Sequence, residues 1–266
     1  MKPLTIISRE AVELRIYVHP TCYSSYKLLK HLMENGLINR VKVIDTSNPS
    51  LLDRFVLSVP WVTIGSRTVA ADPVSGEEVK LMIEGSYKPT IGNPLESFKV
   101  TLLSSSYASS IALLHGDLSY AAFRELVEAS LRTPLTGLDP EEVLEIVRRD
   151  GVSLYEELEV RIAKVLATSY IRELYWASGG SLNEKDLRGR VDRVAVLTWL
   201  MAKASVGRLG LPSNPLTMAN RDGVEIIVNI LEASGDKILS DVRREQETIF
   251  KDISYTSFLK SLEQRS

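Results

Sequence analysis

The sequence contains few of the residues that covalent cross-links and metal sites require. Its 266 residues include one cysteine, Cys22, and three histidines. A single cysteine excludes a disulfide within the chain. Structural zinc sites take four ligands, mainly cysteine and histidine, so the sequence argues against such a site. We therefore expect no resident metal.

Long apolar runs are also absent. The first ten residues lack the apolar core of a signal peptide, and no later run reaches the roughly 18 apolar residues of a membrane span. The formal net charge of -2 gives no electrostatic reason to expect nucleic acid or an anionic membrane as a partner. We predict a cytoplasmic protein that binds neither. Two glutamines, and 19 arginines against 13 lysines, weakly favour a heat-adapted source.

The sequence around Cys22 predicts a strand that is followed directly by a helix. Leu14, Ile16 and Val18 alternate with more polar residues, which is typical of a strand with one buried face. After the cysteine the apolar residues recur at helical spacing, and Gly36 ends the helix. These apolar positions are Leu28, Leu29, Leu32 and Met33. Cys22 is therefore expected at a helix amino terminus, where unpaired N–H groups favour a thiolate.

A structural interpretation of the same cysteine stays open, because a lone cysteine is often a small buried hydrophobic residue. The residues that follow help to decide between the two. Residues 1–12 are expected to form a short leader strand or arm. After the strand and helix described above, the sequence predicts a strand over 41–45 and a short helix that residues 46–49 open and whose apolar face covers 51–56. Strands over 61–64 and 68–71 and a helix over 77–83 follow. A helix between the first two strands favours their parallel pairing.

This order resembles the thioredoxin-like fold, and within it the glutaredoxin branch, over residues 13–86. The sequence Cys22-Tyr23-Ser24-Ser25 stands in the place of the family's Cys-x-x-Cys or Cys-x-x-Ser motif. Ser58-Val59-Pro60 stands in the place of Thr-Val-Pro. Because Ser25 occupies the position of the second cysteine, an internal dithiol cycle is not available.

The resemblance implies roles for several residues. It implies a cis peptide bond before Pro60, packing of this proline beside Cys22, and pairing of the Val59 backbone with a bound thiol substrate. Trp61 corresponds to a residue that often contacts substrate, although burial under the sheet is an equal alternative. In the segment where the family binds the γ-glutamyl group of glutathione, the resemblance gives this role to Asp72 or Ser75. Tyr23 either lines the substrate groove or is a surface aromatic.

The composition and periodicity of the sequence change near residue 86. Two prolines and a glycine mark a linker over 87–94, and the remainder over 95–266 shows no convincing strand. Its helical patterns cover 95–114, 119–132, 139–149, 154–177, 184–206, 215–233 and 236–262. The sequence thus predicts an α/β thioredoxin-like domain over 1–86 followed by an all-α domain. This order of domains resembles glutathione transferases.

The predicted function is monothiol thiol–disulfide exchange through Cys22, assisted by a hydrogen bond from Ser25, with the helical domain selecting the partner. The expected partner is a protein or small-molecule thiol or disulfide, and no cofactor is expected beyond a small thiol such as glutathione. Three alternatives remain: a transferase resembling glutathione transferases, a non-catalytic adapter, and a homodimer that holds an iron–sulfur cluster with the help of an exogenous thiol.

Overall fold

The computed structural model describes residues 13–47, 56–205 and 221–263. The predicted leader strand or arm over 1–12 lies outside these residues, as does nearly all of the apolar face over 51–56 of the predicted short helix. The architecture is an amino-terminal α/β part with a small mixed sheet, followed by a mostly helical remainder.

Among the described residues the sheet has four strands, in the order β2-β1-β3-β4. They are β1 (Leu14–Val18), β2 (Lys42–Asp45), β3 (Trp61–Ile64) and β4 (Arg67–Ala71). Strands β1 and β2 are parallel, while β3 pairs antiparallel with both β1 and β4. The parallel pair requires a crossover, and the helix α1 (Tyr23–Glu34) supplies it, as the sequence predicted. Gly65 makes the tight β3–β4 connection with a φ of 60°.

A short 3₁₀ helix (Ile38–Arg40) follows α1, and α2 (Gly76–Glu84) follows β4. The first turn of α2 carries a complete capping box: the Ser75 hydroxyl accepts a hydrogen bond from Glu78 N, and the Glu78 carboxylate accepts one from Ser75 N. Gly85 ends the helix in the left-handed conformation that glycine adopts without strain.

The remaining elements are helical throughout the described residues after Asn93. They are α3 (Pro94–Ser104), α4 (Ser106–His115), a 3₁₀ helix (Leu118–Ala121), α5 (Arg124–Leu131), α6 (Thr133–Thr136), α7 (Pro140–Ala177), α8 (Glu184–Arg188), α9 (Arg193–Ser205), α10 (Arg221–Lys251) and α11 (Ile253–Glu263). None of the helices within the described ranges is long and apolar enough to cross a membrane.

Several helix boundaries differ from the predicted ones. The sequence places separate helices over 139–149 and 154–177, but α7 is continuous apart from a kink at Asp150. Gly235 likewise lies inside α10 instead of ending a helix. Glycine in a helix interior costs only about 1 kcal/mol relative to alanine, so packing along a long helix can override it.

The contacts divide the chain into two compact units that do not follow a boundary at residue 86. One unit comprises the residues up to Thr101, 124–143, and those from Gln246 onward; the other comprises Leu102–Phe123 and Leu144–Glu245. In the first unit α5 and α6 contact β4, and α11 contacts α1 and β2. The sheet and α1 thus bury apolar surface against helices distant in sequence.

The core of the first unit lies between the sheet and α1. Ile16, Leu29 and Val62 are completely buried there. Ile249 and Tyr255, from the end of the chain, belong to the same core cluster. The carboxy-terminal segment is therefore part of the packing that holds the sheet together.

Candidate functional site around Cys22

Cys22 lies at the amino terminus of α1, as the sequence predicted. Its backbone is extended, with φ -77° and ψ 119°, and its carbonyl accepts a helical hydrogen bond from Tyr26 N at 2.9 Å. The Cys22 side chain makes no capping bond. The N–H groups of the first turn therefore favour negative charge beside the sulfur.

The sulfur reaches the segment before β3. Cys22 Sγ donates a hydrogen bond to the carbonyl oxygen of Val59 at 3.4 Å, across 37 positions of sequence. The Val59–Pro60 peptide bond is cis, which confirms the prediction. The carbonyl of Pro60 in turn accepts a hydrogen bond from Asp72 N at 3.0 Å. The fold thus joins four of the predicted site residues into one connected group.

Cys22 is half-buried, whereas Ser25 is completely buried. The Ser25 hydroxyl accepts a long hydrogen bond of 3.5 Å from His19 N at the end of β1. The His19 ring is hydrogen-bonded through Nδ1 to the Thr21 hydroxyl at 2.9 Å. These contacts connect the loop before Cys22 to the first turn of α1.

Aromatic rings surround the start of α1. Tyr23 stacks on Tyr26 with ring centroids 5.9 Å apart, and the Lys27 ammonium lies 5.1 Å from the Tyr23 ring. Tyr26 meets Tyr255 edge to face at 5.0 Å. Tyr23 is partly exposed, but Trp61 is completely buried in the sheet. The geometry therefore favours core packing for Trp61 over contact with a substrate.

Two residues that sequence reasoning missed hold the loop before Cys22. Gln246, near the end of α10, is 1% exposed, and its Nε2 donates to the carbonyl of Thr21 at 2.9 Å. Tyr255 in α11 is completely buried, and its hydroxyl donates to the carbonyl of Pro20 at 3.4 Å. These contacts span more than 220 positions of sequence, and no local pattern indicates them.

The surroundings keep Tyr255 protonated at neutral pH. Burial raises the pKa of Tyr255 well above its ordinary value, and the charge of Asp45, or of Cys22 once that thiol is ionised, raises it further. The hydroxyl therefore remains a donor, and it lies within electrostatic reach of the thiol.

Asp252 ties the start of α11 to α1. Its carboxylate accepts hydrogen bonds from Lys30 Nζ at 2.7 Å, from the Tyr26 hydroxyl at 3.1 Å, and from Tyr255 N at 3.1 Å. The bond from Lys30, helped by that from Ser254, holds the pKa of Asp252 well below its ordinary value. The carboxylate is therefore ionised whenever the chain is folded near neutral pH.

A second polar cluster centres on Glu78. Its carboxylate accepts hydrogen bonds from the Tyr87 hydroxyl at 2.6 Å and from Arg132 Nη2 at 3.4 Å. Burial alone would raise the pKa of Glu78, but hydrogen bonds from Tyr87 and Ser75 and the charge of Arg132 outweigh it, and the pKa falls below its ordinary value. Glu78, Tyr87 and Arg132 line a pocket of about 340 Å³, and none of the predicted site residues lines it.

No group of three or more histidine, cysteine, aspartate or glutamate side chains within the described ranges is arranged to hold a metal ion. Comparison of the chain with protein-family models, with curated proteins and with solved structures finds no match. The motifs and the geometry around Cys22 are therefore the features of this chain that bear on its function.

Proposed function

We propose that this protein carries out thiol–disulfide exchange through Cys22, in a thioredoxin-like amino-terminal domain of the glutaredoxin type. The observation that carries the proposal is the contact between Cys22 Sγ and the carbonyl of Val59, immediately before a cis proline. The strand order and the crossover through α1 also support it.

The chemistry follows from a single accessible thiol. The Cys22 thiolate attacks one sulfur of a disulfide, forms a mixed disulfide and releases the other half as a thiolate. An external thiol then attacks the mixed disulfide, forms a new disulfide with the bound group and frees Cys22. The hydroxyl of Ser25 cannot resolve the bond as a second thiol would.

The reduced Cys22 thiol must lose its proton before it can attack a disulfide. The hydrogen bond to the carbonyl of Val59 is made by the protonated thiol, so ionisation gives up this bond. The helix amino terminus favours the resulting anion. The carbonyl of Val59 is then free to accept a hydrogen bond from the backbone of an arriving peptide or peptide-like disulfide.

The test uses the fact that Cys22 is the chain's only thiol. Native protein is incubated with oxidised glutathione, and its intact mass is measured over time, with Cys22→Ser as the control. The expected result is one glutathione adduct per chain, which reduced glutathione then removes. A native thiol that forms no adduct, although the urea-unfolded chain does, would reject exchange chemistry and favour the adapter interpretation.

A further inference from the structure

We infer that Gln246 and Tyr255 are positioning residues for Cys22, so the carboxy-terminal segment completes the thiol site. The inference rests on the proposed function. The loop that precedes Cys22 presents two consecutive carbonyls, those of Pro20 and Thr21, to these two buried side chains. Fixing both carbonyls fixes the backbone on which the Cys22 side chain is mounted.

The side-chain amide of Gln246 is buried with only one of its two polar atoms hydrogen-bonded to a described residue. Its Nε2 lies 2.9 Å from the carbonyl of Thr21, while its Oε1 is buried without a hydrogen-bond partner among the described residues. An unpaired buried amide oxygen destabilises the folded state, because it gives up its hydrogen bonds to water and gains none in return. Stability alone therefore gives little reason for glutamine here, whereas a requirement to hold the loop does.

Tyr255 supplies the second restraint from a different helix. Its hydroxyl lies 3.4 Å from the carbonyl of Pro20, and its ring packs in the core of the first unit. Since Gln246 is at the end of α10 and Tyr255 is in α11, the loop is held from two elements. Loss of either restraint lets the loop shift and lengthens the contact between Cys22 Sγ and Val59.

The position of the thiol can be measured directly. The S–H stretching band in the infrared reports how strongly a thiol is hydrogen-bonded, and a chain with one cysteine gives one such band. Gln246→Met keeps the approximate size of the side chain but cannot donate to Thr21. Tyr255→Phe removes only the hydroxyl. Tyr170→Phe is the matched control, because Tyr170 is also buried and its hydroxyl also donates to a backbone carbonyl, that of Arg190 in the other unit.

We expect the band to move toward that of a free thiol in Gln246→Met and in Tyr255→Phe, but not in Tyr170→Phe. Exchange with oxidised glutathione should slow about fivefold in the first two variants, which corresponds to the loss of one ordinary hydrogen bond. Thermal unfolding measured in parallel reports stability. A residue that only supports the fold would change the melting temperature and leave the band of the folded protein unmoved.

The outcomes separate the inference from the proposed function. If the wild-type protein exchanges and both folded variants keep its band and its rate, the positioning role is wrong. If the wild-type protein does not exchange, the proposed function fails, and a shifted band would then show only that the two residues position the thiol. Should Gln246→Met not fold, Tyr255→Phe decides alone, because it adds no atoms and removes one.

Discussion

The carboxylate of Asp252 is the clearest place to test how the carboxy-terminal segment is held, and Asp252→Ala is the perturbation. Asp252 directly precedes α11, and its carboxylate accepts a hydrogen bond from the backbone of Tyr255 in the first turn. Loss of such a cap costs about 1 kcal/mol. The Tyr26 hydroxyl also loses its partner, which adds about 1 kcal/mol. We expect a total loss near 2 kcal/mol.

The contact with Lys30 adds little to this total, because the ammonium is partly in water and such pairs are weak. The assay is urea unfolding at pH 7, followed by far-ultraviolet circular dichroism. Glu247→Ala is the control: Glu247 forms an exposed pair with Lys251 in the same stretch, so its removal should not measurably move the midpoint. Equal midpoints for the two variants would refute the reasoning.

The same carboxylate predicts a pH dependence. The pKa of Asp252 in the folded chain lies well below its ordinary value, so the folded state binds this proton less readily than the unfolded chain does. The stabilisation is therefore complete above about pH 5 and is lost progressively as the pH falls below about 4. Asp252→Asn should lose less stability between pH 7 and pH 3 than the wild-type protein. A parallel decline in both would contradict this assignment.

Three further predictions concern other parts of the chain. Burial and a neighbouring carboxylate raise the pKa of Tyr87 to about 12. Tyr87→Phe should therefore lower the free energy of unfolding by about 1 kcal/mol at pH 7. Denaturant unfolding should show this difference from the wild-type protein vanish between about pH 10 and 12, where the tyrosine ionises. Gly151→Ala would overlap a carboxylate oxygen of Asp117 and should cost about 1 to 3 kcal/mol in urea unfolding, whereas Gly189→Ala, which has room, should not destabilise. Ser25→Cys should convert the glutathione adduct at Cys22 into an internal disulfide, seen by mass as loss of glutathione; a persistent adduct would show that the buried position cannot reach the sulfur.

The amino-acid sequence by itself determined the local elements around the thiol. Alternation in β1 and helical spacing in α1 are properties of neighbouring residues, so the strand, the helix and the position of Cys22 between them could be predicted. The hairpin around Gly65 and the stop at Gly85 follow from glycine's access to positive φ. The cis bond before Pro60 was predicted from the resemblance and is present.

The tertiary structure alone decided which distant residues surround the site. Gln246 and Tyr255 reach the loop before Cys22 from more than 220 positions away in the sequence. Trp61 is buried in the core instead of being exposed to a substrate, and this depends on which elements cover the sheet. The membership of α5, α6 and α11 in the unit of the sheet was equally hidden. Periodicity shows that a helix has an apolar face, but which surface covers that face is settled by packing between segments that share no local pattern.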